Sequence, residues 1–174
     1  MGNQMAFLKK LNMQGLPDKR KENFITGMYL GFILVLLVVL YYVNVHVDVW
    51  NDFNHFLNNF VLASIPGTSL QLPAPGSPGA NVSLYNLAFQ FCIGLGAIEI
   101  VILLTRMWFN SPLTRKAETI ENVVFWLGTS YLVITYLVNI TIISEWFVFW
   151  AGIILIGGLS LVARSFVLLA NRPR

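Results

Sequence analysis

One carboxylate stands inside a long apolar segment of this chain, and it is the residue best placed to do chemistry. Glu99 lies roughly 22 Å into the segment that begins at Leu84, at 1.5 Å of rise per helical residue. An ionisable group at that depth costs at least about 2.5 kcal/mol, so it needs a partner or water. Arg106 follows on the same helix face, and Glu121 and Arg164 fall at a similar depth in later apolar segments. The sequence therefore predicts an intramembrane ionic cluster of Glu99, Arg106, Glu121 and Arg164.

Two interpretations of this cluster remain open. It accepts a proton or anchors a substrate, since carboxylates inside membranes are disproportionately functional. Alternatively, it is a set of ion pairs that orients the helices, with the long side chain of Arg164 extending toward the membrane surface.

A second group of polar residues follows the first apolar segment. Asp48, Asp52 and His55 recur at positions i, i+4 and i+7, with His46 close by, and such oxygen and nitrogen donors can bind a metal ion. The same spacing is typical of the polar face of an amphipathic helix lying on a membrane surface. We favour the second interpretation and expect neither a metal nor another cofactor. The apolar face of that helix would carry Trp50, Phe53, Leu57 and Phe60.

Four apolar stretches position these residues, and the segments between them alternate in basic charge. All 11 Lys and Arg residues lie before the first stretch, between the second and third, or in and beyond the end of the fourth. Cytoplasmic segments retain Lys and Arg, so this pattern predicts that both termini are cytoplasmic. The predicted spans cover about 24–43, 84–105, 122–143 and 146–166.

The remaining segments are assigned to the two sides of the membrane. We predict a cytoplasmic leader at 1–23, a transmembrane domain at 24–170, and a cytoplasmic tail at 171–174. Ser144 and Glu145 leave room only for a tight outer turn, so the third and fourth spans should be antiparallel neighbours.

The outer segment 44–83 has two predicted parts. An amphipathic helix at about 47–61 precedes a stretch rich in Pro and Gly, 64–80, which we expect to be an extended loop. Asn81 then begins an Asn-Val-Ser glycosylation sequon on the outer side.

The composition fits a single membrane domain. Hydrophobic residues make up 56% of the 174 residues, charged residues only 11%, and the mean hydropathy is +0.68. Four spans use most of this length. We predict an all-α polytopic protein of the cell membrane, a four-transmembrane-helix bundle with an outer amphipathic helix. Its basic residues sit at span ends, where they meet anionic lipid rather than nucleic acid.

Three sequence features bear on family membership. The outer segment contains Phe56-Leu57-Asn58-Asn59-Phe60, the second span contains the glycine-flanked acid Gly94-Leu95-Gly96-Ala97-Ile98-Glu99, and Thr105-Arg106 follows near its inner end. With this layout the chain resembles the DoxX-like family of four-span prokaryotic membrane proteins. The resemblance implies a redox- or quinone-associated function.

The sequence contains no phosphate-binding loop, nucleophile elbow or HExxH motif, which favours a protein that is not an enzyme. Few polar residues within the spans and many aromatic residues favour a non-catalytic accessory subunit of a larger membrane assembly. Its partners would be the lipid bilayer and either another membrane protein or further copies of itself. Two alternatives stay open: the DoxX-like redox function, and an oligomeric transporter or channel protomer.

Overall fold

The computed structural model describes residues 18–170, so most of the predicted leader and the whole predicted tail lie outside the described residues. The described chain is mostly helical. Its α-helices are α1 (Asp18–Val43), α2 (Val49–Asn58), α3 (Val82–Trp108), α4 (Leu113–Leu132) and α5 (Ile143–Ala170). A π-helical segment, Val133–Val138, continues α4.

The four predicted long helices are confirmed. α1, α3, α5 and α4 with its π-helical continuation are each long and apolar enough to cross a membrane. Runs of Leu, Ile, Val and Phe favour this conformation because a helix satisfies its backbone hydrogen bonds internally, without water.

All four long helices begin earlier than the predicted spans, and two of them begin six or more residues earlier. α1 starts at Asp18 rather than at residue 24, and α4 starts at Leu113 rather than at residue 122. The first turns of both helices are rich in charged residues, which lower the hydropathy of a span without interrupting the helix. Hydropathy therefore located the apolar part of each helix and missed its polar extension.

The turn between α4 and α5 also differs from the prediction at Ser144 and Glu145. Both residues belong to the first turn of α5, and the connection lies just before them. The Glu145 carboxylate accepts a hydrogen bond from the Thr141 N–H at 2.7 Å and one from the Ile142 N–H at 3.3 Å. An acidic side chain is favourable at a helix N-terminus, where free N–H groups point outward. Glu145 thus helps to start α5 instead of forming the turn.

The long helices form an open row in the order α1, α3, α4, α5. Neighbours in this order pack extensively against each other, whereas the described parts of α1 and α5 have no comparable contact. Only 11% of the most apolar stretch of α1 and 6% of that of α5 is buried, against 28% for each of the two middle spans. The two outer helices of the row therefore each keep most of their surface free.

The two ends of the row differ in composition. We call the end where α1 and α4 begin and where α3 and α5 finish the basic end. The opposite end carries residues 44–81 and is called the cap end. The cap contains α2, a hairpin of strands β1 (Phe60–Ser64) and β2 (Gln71–Pro75), and a short 3-10 helix, Pro78–Asn81.

The expected extended loop at 64–80 is wrong, because much of this segment is in the hairpin. The strands are antiparallel, with Phe60 opposite Pro75 and Ser64 opposite Gln71. Proline removes a backbone donor, but each strand of a two-stranded hairpin pairs on one side only and so tolerates it. Gly67 supplies the positive φ of 77° in the turn between the strands.

An aromatic core joins the cap to α5. Trp146, on α5, is buried, and its indole Nε1–H donates to the Pro73 carbonyl of β2 at 3.2 Å. The rings of Phe56 and Phe60 lie 6.1 and 6.0 Å from the Trp146 ring in edge-to-face geometry. Such ring pairs add about 0.5–1.5 kcal/mol each beyond the area they bury. The cap is therefore a folded part of the protein.

Four glycines lie at close contacts between neighbouring helices. A Cβ atom added to one of these glycines would lie less than 3.0 Å from a Leu or Ile side chain of the next helix. Small residues at such positions let helices approach within a membrane, where hydrophobic burial provides no driving force. The contacts join Gly94 to Leu36, Gly96 to Leu127, Gly128 to Ile156, and Gly152 to Leu132.

Replacing one of these glycines should separate two helices. We expect Gly96→Ala to lower the unfolding midpoint of the detergent-purified protein, because its methyl group overlaps Leu127. Overpacking of this kind costs about 1–3 kcal/mol. Gly157→Ala is the matched control, since none of the described atoms lies within 4 Å of the added Cβ. Equal midpoints for the two variants would contradict the assigned contact.

Candidate functional site

The predicted intramembrane carboxylate is buried between three helices. Glu99, on α3, is 3% exposed. Its Oε1 accepts a hydrogen bond from the Asn122 side-chain N–H of α4 at 2.9 Å, and the Tyr29 hydroxyl of α1 also hydrogen-bonds the carboxylate. None of the ion pairs between described residues includes Glu99. Two neutral donors therefore hold this carboxyl group.

Arg106 lies at the basic end of α3 and connects three helices. Its side chain is only 14% exposed, and Nη2 lies 3.4 Å from Glu22 Oε2 of α1. Nη1 donates to the Arg115 carbonyl of α4 at 2.6 Å and also to the Thr119 hydroxyl. A guanidinium group can do this because its five N–H donors point in fixed, divergent directions.

Arg164 connects the fourth helix to this layer. Its Nη1 lies 3.0 Å from Glu121 Oε2 of α4, and its Nη2 lies 3.9 Å from Glu118 Oε1. Glu118 also pairs with Arg115 at 3.0 Å. Of the four residues in the predicted cluster, only Glu121 and Arg164 therefore form an ion pair with each other.

Sequence reasoning missed Glu22, Tyr29 and Asn122, although a heptad spacing could have indicated Glu22 and Tyr29. On α3, Glu99 and Arg106 are seven residues apart, and so are their α1 partners Tyr29 and Glu22. Residues seven apart lie on nearly the same helix face, about 10 Å apart along the axis. An outer layer around Arg106 and a deeper layer around Glu99 thus join the same three helices.

The deeper layer has the composition of a site that holds a proton or binds a hydrogen-bond donor. A carboxyl group hydrogen-bonded by an amide and a phenol can gain or lose a proton without losing its position, since a phenol both donates and accepts. In the outer layer, Glu22 Oε1 and Arg106 Nε are buried with no hydrogen-bond partner among residues 18–170. The polar atoms of the site that have no hydrogen-bond partner among residues 18–170 therefore lie on the side toward the basic end.

The polar residues of the cap have structural contacts instead of a common centre. Asp48 caps α2, its Oδ1 accepting the Asn51 N–H at 3.1 Å. Asp52 Oδ2 accepts the Ser83 hydroxyl at 2.6 Å and so ties α2 to α3. Across residues 18–170, no three His, Cys, Asp or Glu side chains come together in a way that could hold a metal ion. His46, Asp48, Asp52 and His55 therefore do not converge as a group of three or more.

The glycosylation candidate is not accessible in the folded chain. Asn81 is 3% exposed, and its side-chain amide donates to the Ser77 carbonyl at 3.3 Å. An acceptor asparagine has to lie on a surface loop to be glycosylated. Asn81 belongs instead to the 3-10 helix that leads into α3.

Comparisons with protein-family models, with curated proteins and with solved structures find no match to this chain. The assignment of function therefore depends on the geometry of the molecule.

A double-mutant comparison can test the assigned partners. Glu121→Gln and Arg164→Gln should each lower the unfolding midpoint. The double variant Glu121→Gln/Arg164→Gln should show a coupling of about 0.2–1 kcal/mol in the free energy of unfolding. Glu99→Gln/Arg164→Gln should be additive, because Glu99 and Arg164 share no contact. A Glu99–Arg164 coupling as large as that of Glu121–Arg164 would show that the partners are wrongly assigned.

Proposed function

We propose that this protein is a small multi-pass subunit of the cell membrane that has no catalytic role and binds another membrane protein through α1. Four long apolar helices support the membrane placement. The segregation of Lys and Arg supports cytoplasmic termini, with the basic end at the cytoplasmic face and the cap outside.

The observation that carries this proposal is the free face of α1. The face of α1 that meets α3 contains Ile25, Tyr29 and Leu40. Gly27 and Gly31 lie on the opposite face, and no atom of residues 18–170 lies within 4 Å of a Cβ added at either position. Glycines receive a neighbouring side chain at each contact between adjacent helices in the row, whereas this pair receives none from the described part of the chain. The open pair therefore suits a helix from another chain.

The spacing of the two glycines supports a helix as the partner. A small-xxx-small pair lets two backbones approach, and in lipid this close packing replaces hydrophobic burial as the source of association. The exposed Leu and Val side chains around the pair are no argument by themselves, because lipid solvates them equally well. The glycine pair is the more specific feature, because contact with lipid chains does not require glycine, whereas close packing of two helices does.

The arrangement of polar residues supports a binding role over transport. Glu99 and the arginine contacts belong to the half of the row toward the basic end, and the other half has an apolar, aromatic core. A transporter protomer would be expected to carry polar residues at the middle of an inverted repeat or a broken helix. No comparable observation favours the DoxX-like redox alternative.

The proposed orientation predicts opposite labelling at two exposed positions. In a Cys92→Ala background, Ser77→Cys should react with a membrane-impermeant maleimide added to intact cells. Thr114→Cys should react only after the cells are permeabilised. Both side chains belong to exposed residues, so access to each depends on the membrane alone. The reverse pattern would place the termini outside.

The proposed docking face predicts the loss of a protein partner in a Gly31→Ile variant. We expect about tenfold less partner to co-purify in mild detergent, since helix association of this kind is worth about 1–2 kcal/mol. The unfolding midpoint of the variant should not fall, because no atom of the described residues lies within 4 Å of the added Cβ.

Gly158→Ile is the matched control for this experiment. Gly158, on α5, has the same open surroundings but no small residue four positions away, and the variant should keep the partner. Equal recovery with both variants would contradict the docking face. Recovery of only a second copy of this chain would replace the accessory role with homo-oligomerisation, and bound quinone without a protein partner would replace it with the redox alternative.

A further inference from the structure

A cavity of about 960 Å³ lies near the cap end, between α1, α2 and α3. Its walls are apolar and include Leu37 and Leu40 of α1 and Leu87 and Phe91 of α3. His46 and Asp48, in the segment that follows α1, stand at its polar edge. The volume is at the upper end of the range of about 300–1,000 Å³ typical of ligand pockets.

We propose that this cavity binds an acyl chain of a phospholipid whose headgroup carries an ammonium group. The inference depends on the membrane placement in the proposed function but not on the protein partner. It assigns a role to the flank of α1 that borders the α3 contact and lies away from the glycine pair.

The position of the cavity along the helices fits an amphiphile. Leu37 is six residues before the end of α1 and Phe91 nine residues after the start of α3, about 9 and 14 Å from those helix ends. The apolar walls therefore reach into the outer half of a hydrocarbon core about 30 Å thick. His46 and Asp48 belong to the segment beyond the helix end, at the level of lipid headgroups. An occupant has to be apolar at the deep end and polar at the other.

The charges around the polar edge select the headgroup. Residues 44–81 contain two carboxylates, Asp48 and Asp52, and no Lys or Arg. Asp52 is engaged with Ser83, whereas Asp48 lines the cavity and uses one oxygen to cap α2. An ammonium group at this edge would be attracted by the opposite charge of the Asp48 carboxylate. A purely anionic headgroup would find no formal cation among residues 44–81 and would meet the carboxylate.

Two polar contacts hold the walls of the cavity in place. The Asn44 side-chain N–H donates to Gln90 Oε1 at 2.7 Å, which joins the end of α1 to α3. The Ser83–Asp52 hydrogen bond fixes α2 against the start of α3. The cavity is therefore formed before an occupant enters, which reduces the entropy lost on binding.

The test reconstitutes the purified protein into vesicles containing equal amounts of phosphatidylethanolamine and phosphatidylglycerol with identical acyl chains. After extraction in mild detergent, native mass spectrometry measures the lipids retained by each protein molecule. We expect one retained lipid, with a preference for the ethanolamine headgroup of about twofold to fivefold, the effect of one partly exposed charge pair. Equal retention of both lipids, or a preference for phosphatidylglycerol, would overturn the proposal.

Two variants separate the headgroup contact from the acyl chain contact. Asp48→Asn should abolish the headgroup preference and leave total retention unchanged, since Asn caps a helix as well as Asp. Leu37→Trp should lower total retention by about tenfold, the effect of excluding roughly two methylene groups. Leu30→Trp is the matched control: Leu30 is an exposed leucine seven residues earlier on the same face of α1 and is outside the cavity.

The variants also separate this proposal from the docking face. A preference that survives Asp48→Asn, or wild-type retention by Leu37→Trp, would contradict the cavity as the lipid site. Gly31→Ile should keep the lipid even where it loses a protein partner, because Gly31 lies outside the cavity. Loss of the lipid in Gly31→Ile would overturn the proposal, since it would place the lipid at the protein interface.

Discussion

The Arg106 guanidinium group is the contact on which the arrangement of the helices most depends. It is largely buried and makes hydrogen bonds or an ion pair with α1 and α4 from its own position on α3. In surroundings with little water, a misplaced helix would leave these groups unsatisfied, which costs several kcal/mol per group. Apolar surfaces slide past one another at little cost, but divergent hydrogen bonds do not. Arg106 therefore sets the register of three helices. Glu99, one heptad deeper, fixes the register of the same three helices a second time.

Three kinds of contact with different roles explain why the helices form an open row. The polar layers fix axial register at the basic end, the glycine contacts set the distance between neighbours, and the aromatic core around Trp146 joins the cap to α5. α1 takes part in the first two but lies outside the aromatic core. Near the cap end its hydrogen bond to another helix is the one between Asn44 and Gln90. The least enclosed surfaces of the molecule accordingly lie along α1.

The sequence was sufficient for the four long helices because lipid imposes the same apolar requirement on every turn of a span. It also predicted that Arg164 and Glu121 belong to one cluster, since both lie toward the basic end of the row. The residues that contact Glu99 and Arg106 could not be predicted in this way, because hydropathy does not indicate which helix faces meet. The hairpin was missed for a different reason. Pro73 and Pro75 are incompatible with a helix or a central strand, but in a hairpin their missing donors can face away from the partner strand.

The geometry of α1 allows its surfaces to act independently. Successive residues of a helix are rotated by about 100°, so Gly27 and Tyr29, two residues apart, lie on nearly opposite faces. Leu37 is offset by about 80° from Tyr29 and about 120° from Gly31, which places the cavity on the flank between the two. A helix docked on the glycine pair would therefore leave the cavity open to lipid, and the contact with α3 would stay intact. A helix held firmly by one neighbour, at polar groups on one face, can in this way keep two further surfaces free for binding without any change in its own fold.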